Sequence, residues 1–190
     1  MLLAIPSREK LAVVLSVLLG ENEVLSQFGM RSLSKRHADE PWELSIRGEQ
    51  YRISYVPGES DSRMFGGNLN WRGPIWFLIN YLLIEAIERY YAFYGGEFKV
   101  ECPTGSQQWV NLGEVSRELN RRLTKLFLSP ESGGPRPCLA RLPCQDAAAW
   151  QEHLLFHEYF HGDTGEGLGA SHQTGWTALI ANCIDKLNFR

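Results

Sequence analysis

A mainly α fold with one small β-hairpin is predicted by three features of this sequence. Between Ile75 and Ile84 only Asn80 and the Tyr81 hydroxyl are polar, in a run that continues over helical length to Tyr94, the mark of a helix covered on every side. Residues 111–128 open with a capping pattern and continue with apolar residues at helical spacing. Only residues 42–59 alternate with period two, and no strand–helix–strand unit recurs along the chain.

In chain order, MLLAIPSREKLAVVLSVLLG has the apolar content of a leader peptide, but Pro6, Arg8, Glu9 and Lys10 divide it and no cleavage-type run follows. It reads as an amphipathic helix from Ser7 to about Leu19. Residues 20–42 show no sustained period and read as loop. A hairpin follows, Leu44 and Ile46 on one side of the turn around Gly48, Tyr51, Ile53 and Tyr55 on the other, closed by Pro57-Gly58. The Gly-, Ser- and Asn-rich residues 58–73 form a second loop, in which Phe65 and Trp71 are costly residues to spend on a mere connection. Pro74 suits the first turn of the helix that Gly95-Gly96 stop, some 20 residues or about 30 Å long. That helix belongs in an inner layer.

Asn111 and Glu114 form the capping box of the next helix, which places Val115, Leu119, Leu123 and Leu126 on one face and Arg117, Arg121 and Arg122 off it. Residues 129–145 hold four of the nine prolines and read as connection, after which Asp146 caps a short helix to about Leu155. A last helix begins near Thr174 and carries Trp176, Leu179, Ile180, Cys183, Ile184 and Leu187.

The composition, 44% hydrophobic and 12% aromatic over 190 residues with net charge -3, is that of one soluble globular domain. Charges are dispersed, which excludes nucleic acid as a partner, and no run approaches the ~18 apolar residues of a membrane span. The expected location is the cytoplasm. Cys102, Cys138, Cys144 and Cys183 include no C-x-x-C pair and read as buried free thiols, although Cys138 and Cys144 are close enough in sequence to pair under oxidation.

His157-Glu158-Tyr159-Phe160-His161 spells H-E-x-x-H, the string of zinc peptidases. That chemistry needs both histidines on one helix turn and a third ligand, with His153 the only further histidine in register. Four glycines from Gly162 to Gly169 leave such a helix almost no length. The longer metzincin pattern wants a glycine where Thr164 stands and a histidine where Gly167 stands. A zinc peptidase is therefore a remote alternative, and no metal or cofactor is expected.

Residues 65–87, FGGNLNWRGPIWFLINYLLIEAI, and 156–181, FHEYFHGDTGEGLGASHQTGWTALIA, resemble signature segments of glycoside hydrolase family 63, the family of the processing α-glucosidases. KVECPTGSQQW resembles a linking stretch of its bacterial members, and the likeness runs from about residue 28 to the C-terminus. The resemblance implies an (α/α)6 barrel, with sugar bound in a crater where inner helices begin. It implies Glu158 as general base, its partner acid an aspartate upstream of this chain. The hydrolysis it implies is that of α-glucosidic bonds by inversion, in which two carboxyl groups stand ~6.5–9.5 Å apart.

The residues themselves point the same way. Phe65, Trp71, Arg72 and Trp76 gather near the start of one inner-type helix, and His172, Gln173 and Trp176 at the start of another, with Tyr159 beside the base. Indole faces and planar polar groups are what bind sugar rings and hydroxyls. Any one tryptophan alone would be ordinary core. The glycines of GDTGEGLGAS read as backbone approaching the substrate closely or turning beneath it. Asp39, Asp61 and Asp163 lie near these segments, but none stands where the family has its acid. The chain therefore reads as the C-terminal part of a larger catalytic domain, its partner being the upstream part on the same or a separate chain. The alternative is an inactive carbohydrate-binding or interaction fragment.

Overall fold

The structure, a computed structural model, describes residues 6–63, 69–131, 133–140 and 153–188. Helix α1, Arg8–Leu18, is capped by Ser7, whose hydroxyl accepts the Lys10 amide, and turns Leu11 and Leu15 into the core while Val13, Val14 and Val17 stay exposed. The expected loop after it contains a two-residue ladder, β1 (Leu25–Ser26) with β2 (Gly29–Met30), and a 3-10 turn at Lys35–Ala38. Its period went unseen because two residues per strand are too few to alternate.

Strands β3 (Trp42–Ile46) and β4 (Glu49–Ile53) form the expected hairpin, Leu44 opposite Tyr51. Arg47 and Gly48 both have positive φ (52° and 85°), the two-residue turn whose twist matches paired strands. Both faces of β3 are open to solvent.

Helix α2, Phe77–Tyr94, starts two residues later than the Pro74 signal allows, with Trp76 as its N-cap, and ends at Gly95. Phe77, Asn80, Ile84 and Ile87 are buried, whereas Ile79 and Leu82 on the far side are 41% and 54% exposed. Buried Asn80 ties α2 to β2: its Oδ1 accepts the Met30 amide at 2.6 Å and its Nδ2 donates to the Met30 carbonyl at 2.9 Å. A short ladder, β5 (Lys99–Glu101) with β6 (Trp109–Asn111), leads into α3, Leu112–Lys125, which has the predicted capping box between Asn111 and Glu114.

Val115, Leu119 and Leu123 of α3 are buried as expected, but Arg122, placed off the apolar face, is buried as well. Its guanidinium bonds the Ser26 carbonyl, Glu118 and Glu21, partners that make burial of the charge affordable. Beyond a 3-10 turn at Pro137–Leu139, the start of the expected helix at Asp146 lies outside the described residues, and 153–155 are not helical.

Strands β7 (Tyr159–Phe160) and β8 (Gly167–Leu168) pair next, and the last helix is divided into α4, Thr174–Thr177, and α5, Ile180–Asn188, by a tight turn at 178–179. Helices α2, α3 and α5 pack together around the main core. The described residues are thus mainly helical with small antiparallel ladders, and no helix among them is long and apolar enough to cross a membrane. Cys102, Cys138 and Cys183 are free and buried; Cys144 lies outside the described residues.

Candidate active site

The H-E-x-x-H segment is not helical. Tyr159–Phe160 is a strand, and extended backbone advances about 3.3 Å per residue against 1.5 Å on a helix. The histidines accordingly go to different places. His157 is buried over Gly167, where a Cβ would come within 2.1 Å of its Cδ2. His161 accepts the Asp163 and Thr164 amides at Nδ1 and so shapes the β7–β8 turn. The helical turn that a zinc peptidase requires is absent from this segment, and no group of three potential metal ligands occurs among the described residues.

The strand is held by a pair of hydrogen bonds between Phe160 and Ile75, 2.9 and 2.8 Å, just before α2 begins. This pairing carries the 156–176 segment onto the start of α2. Phe160 enters the main core, while Tyr159 turns the other way and packs with Trp76 and Leu168. An aromatic stack results. Trp71 lies parallel on Trp76, centroids 4.0 Å apart at 2°, and Trp76 in turn lies 4.8 Å from Tyr159 and 6.5 Å from Trp176. Trp76 is 4% exposed and its indole N–H donates to the Asn70 carbonyl, whereas Trp71 at the end of the stack is 39% exposed.

Glu158 sits at the edge of this stack. Its backbone N–H donates to the Ala170 carbonyl at 2.9 Å, and its carbonyl accepts the Trp176 indole N–H at 3.0 Å. The carboxylate Oε2 accepts the Ala170 amide at 3.3 Å. The donor to this carboxylate is thus a backbone amide. Gly169, φ 66°, makes the approach possible, since a Cβ there would lie 2.8 Å from Oε2 of Glu158 and 2.7 Å from the Tyr159 ring.

Arg72 is buried and ion-paired with Asp61, and its amide is accepted by Oδ1 of Asn70. Asp163 is paired with buried Arg31 at 3.0 Å and accepts the Tyr55 hydroxyl. Of the three aspartates near the signature segments, Asp61 and Asp163 are therefore engaged by arginines. Burial pushes the phenols of Tyr55 and Tyr159 up, and the carboxylates that accept their hydroxyls, Asp163 and Glu59, push the same way.

The remaining candidates are less central. The Gln173 side chain caps α4 by accepting the Gly175 amide, and its backbone N–H donates to Phe156. His172 is exposed, edge-on to Phe156 at 5.8 Å. Phe65 lies outside the described residues. Two residues not singled out in the sequence organise the site. Asn70 donates to the Val56 and Gly58 carbonyls, both at 2.7 Å, locking the end of the hairpin to the start of α2; Glu59 accepts the Tyr159 hydroxyl at 2.5 Å. An asparagine two residues before an Arg-Gly-Pro helix start was the available signal for the first.

The sequence matches the Mannosylglycerate hydrolase MGH1-like glycoside hydrolase domain over residues 1–177. An uncharacterized protein of Saccharomyces cerevisiae is 50% identical over 188 residues, which are 97% of this chain and 17% of that protein. The mannosyl-oligosaccharide glucosidase of the same yeast is 25% identical over 178 residues, and a probable mannosyl-oligosaccharide glucosidase of Schizosaccharomyces pombe is 22% identical over 177. Each alignment takes in 93% of this chain and 15% of the glucosidase. The chain thus spans well under a fifth of the length of the curated relatives it matches.

Proposed function

The chain belongs to the MGH1-like glycoside hydrolase domain family, and from that premise we infer that it is the C-terminal part of an (α/α)6 catalytic domain that hydrolyses α-glucosidic bonds with inversion. The observation that carries the reading is the gathering of Glu158, Trp71, Trp76, Tyr159 and Trp176 at one place from two distant segments. Its distant relatives, the processing glucosidases of family 63, favour the same substrate class.

In this mechanism the glucosyl ring lies against the exposed end of the tryptophan stack, where apolar ring faces meet indole and hydroxyls meet polar groups. The Glu158 carboxylate, oriented by the Ala170 amide and by the two backbone bonds that hold its own residue, takes a proton from a water molecule. That water attacks the anomeric carbon on the face opposite the departing oxygen. An acid on the other wall, ~6.5–9.5 Å away, protonates the leaving oxygen. Asp61 and Asp163 are held by Arg72 and Arg31, and none of Asp39, Asp61 and Asp163 stands where the family has its acid, so the acid is assigned to the part of the domain upstream of this chain.

The chain together with the upstream part of the domain, on the same or a separate polypeptide, should release glucose from α-glucosyl disaccharides, with the β-anomer first to appear by proton NMR. Glu158→Gln should lower kcat by roughly 10²–10⁴-fold with little change in KM. Sugar binding without hydrolysis would leave a binding fragment, and undiminished turnover in the glutamine variant would remove Glu158 from the chemistry.

A further inference from the structure

A second carboxylate stands beside Glu158. Glu59 lies on the segment leaving β4 and is exposed to solvent, yet it is anchored at both oxygens: Oε2 accepts the Tyr159 hydroxyl at 2.5 Å and Oε1 the Gly169 amide at 3.4 Å. The next amide along the chain, that of Ala170, is the one that meets Glu158. Consecutive backbone amides thus receive the two carboxylates. Tyr159, fully buried, stacks at 4.8 Å on Trp76, and Trp76 carries the exposed Trp71, so the anchor of Glu59 is itself part of the aromatic platform.

A surface glutamate with no task is free to turn, and ordering its side chain costs entropy. Here that cost is met by a buried phenol and a backbone amide, an arrangement that aims the group at a fixed point. An ionised carboxylate has about four acceptor sites and no donor. Two of them are used by Tyr159 and Gly169, and the group still faces solvent at the edge of the platform. What such an acceptor selects is a pair of neighbouring hydroxyls, and what it disfavours is an anionic or deoxygenated ligand.

Resting on the glycosidase reading above, we propose that Glu59 is a specificity-determining residue of the sugar site, accepting hydrogen bonds from hydroxyls of the glucosyl unit stacked on the tryptophan platform. Glu158 handles the water, and Glu59 chooses the sugar.

The test uses the chain together with the upstream part of the domain, wild type in every position except where stated, with an α-glucosyl disaccharide and its analogues deoxygenated singly at each hydroxyl of the glucosyl unit. Glu59→Gln should raise KM for the parent disaccharide roughly tenfold to hundredfold, the range for a hydrogen bond to a charged group, and keep kcat within about threefold. Wild type should penalise removal of one or two adjacent hydroxyls most. In the variant that penalty should shrink to about twofold while the penalties at the other positions persist. A latch that only shapes the loop would lower kcat/KM for every analogue by the same factor, and that result overturns the assignment. Should Glu59→Gln fail to fold, Glu59→Asp carries the same comparison. Wild type that neither cleaves any α-glucoside nor shows a tryptophan fluorescence change with one would bring down the glycosidase reading, and Glu59 with it. Cleavage by wild type with an unchanged analogue pattern in the variant would sink Glu59 alone.

Discussion

His157 shows how one side chain beside the candidate base is tuned by its surroundings. It is 7% exposed, both ring nitrogens are buried without a hydrogen-bond partner, and it lies flat over Gly167 in the hairpin that carries Glu158. Burial pushes its pKa below the ordinary 6.5, opposed in part by Glu166. The folded chain therefore resists a proton that the unfolded chain accepts. Stability is unaffected well above pH 6.5, falls as pH drops from there towards the depressed folded value, and loses nothing further below it. His157→Phe keeps the flat ring and removes the titration. Its urea midpoint should vary less with pH below 6.5 than that of wild type. Parallel profiles would show that His157 does not contribute.

At the scale of elements, the helices obey local rules and the site does not. Ser7 caps α1 and the Asn111–Glu114 box caps α3, each read from residues within one turn. The 156–176 segment pairs 159–160 with 167–168 within itself but is set in place by partners outside it: Ile75 bonds Phe160, and Thr177 holds the His157 carbonyl at 2.7 Å. Asn80 does the same for α2 and β2. Asn80→Leu leaves the buried Met30 N–H and C=O without that partner and should destabilise by about 2–3 kcal/mol. Leu82→Gln, on the exposed side of the same helix, should stay within about 0.5 kcal/mol. Urea denaturation of the two variants, at a concentration low enough to keep the chain monomeric, checks the contrast, and equal costs there would mean that Leu82 packs against this chain itself.

For the whole molecule, that open side is the feature with the largest consequence. Ile79, Leu82 and Phe93 are 41%, 54% and 56% exposed along α2, a helix whose first half, to Ile84, is apolar on every side in sequence. In the proposed barrel the remaining helices supply it. The 190-residue chain on its own should therefore self-associate, as uncovered apolar surface does, and should not turn over α-glucosides. Replacing Ile79 and Leu82 together by glutamine should reduce the association seen by light scattering without lowering the thermal midpoint. A monomer at all concentrations that also releases glucose would show the chain to be a complete enzyme.

The sequence alone was enough for α1, α2, α3 and the β3–β4 hairpin, because caps, period and turn residues act over a few neighbours. It was enough too for the family, whose signature lies in two unbroken segments. Only the tertiary structure decided that H-E-x-x-H is a strand edge, that Arg122 is buried, and that Asn70 and Glu59 belong to the site. Each of those depends on a partner far along the chain, Ile75 for Phe160, Ser26 for Arg122, Val56 for Asn70 and Tyr159 for Glu59. Such partners exist only once the core has closed, and no window of neighbouring residues contains them.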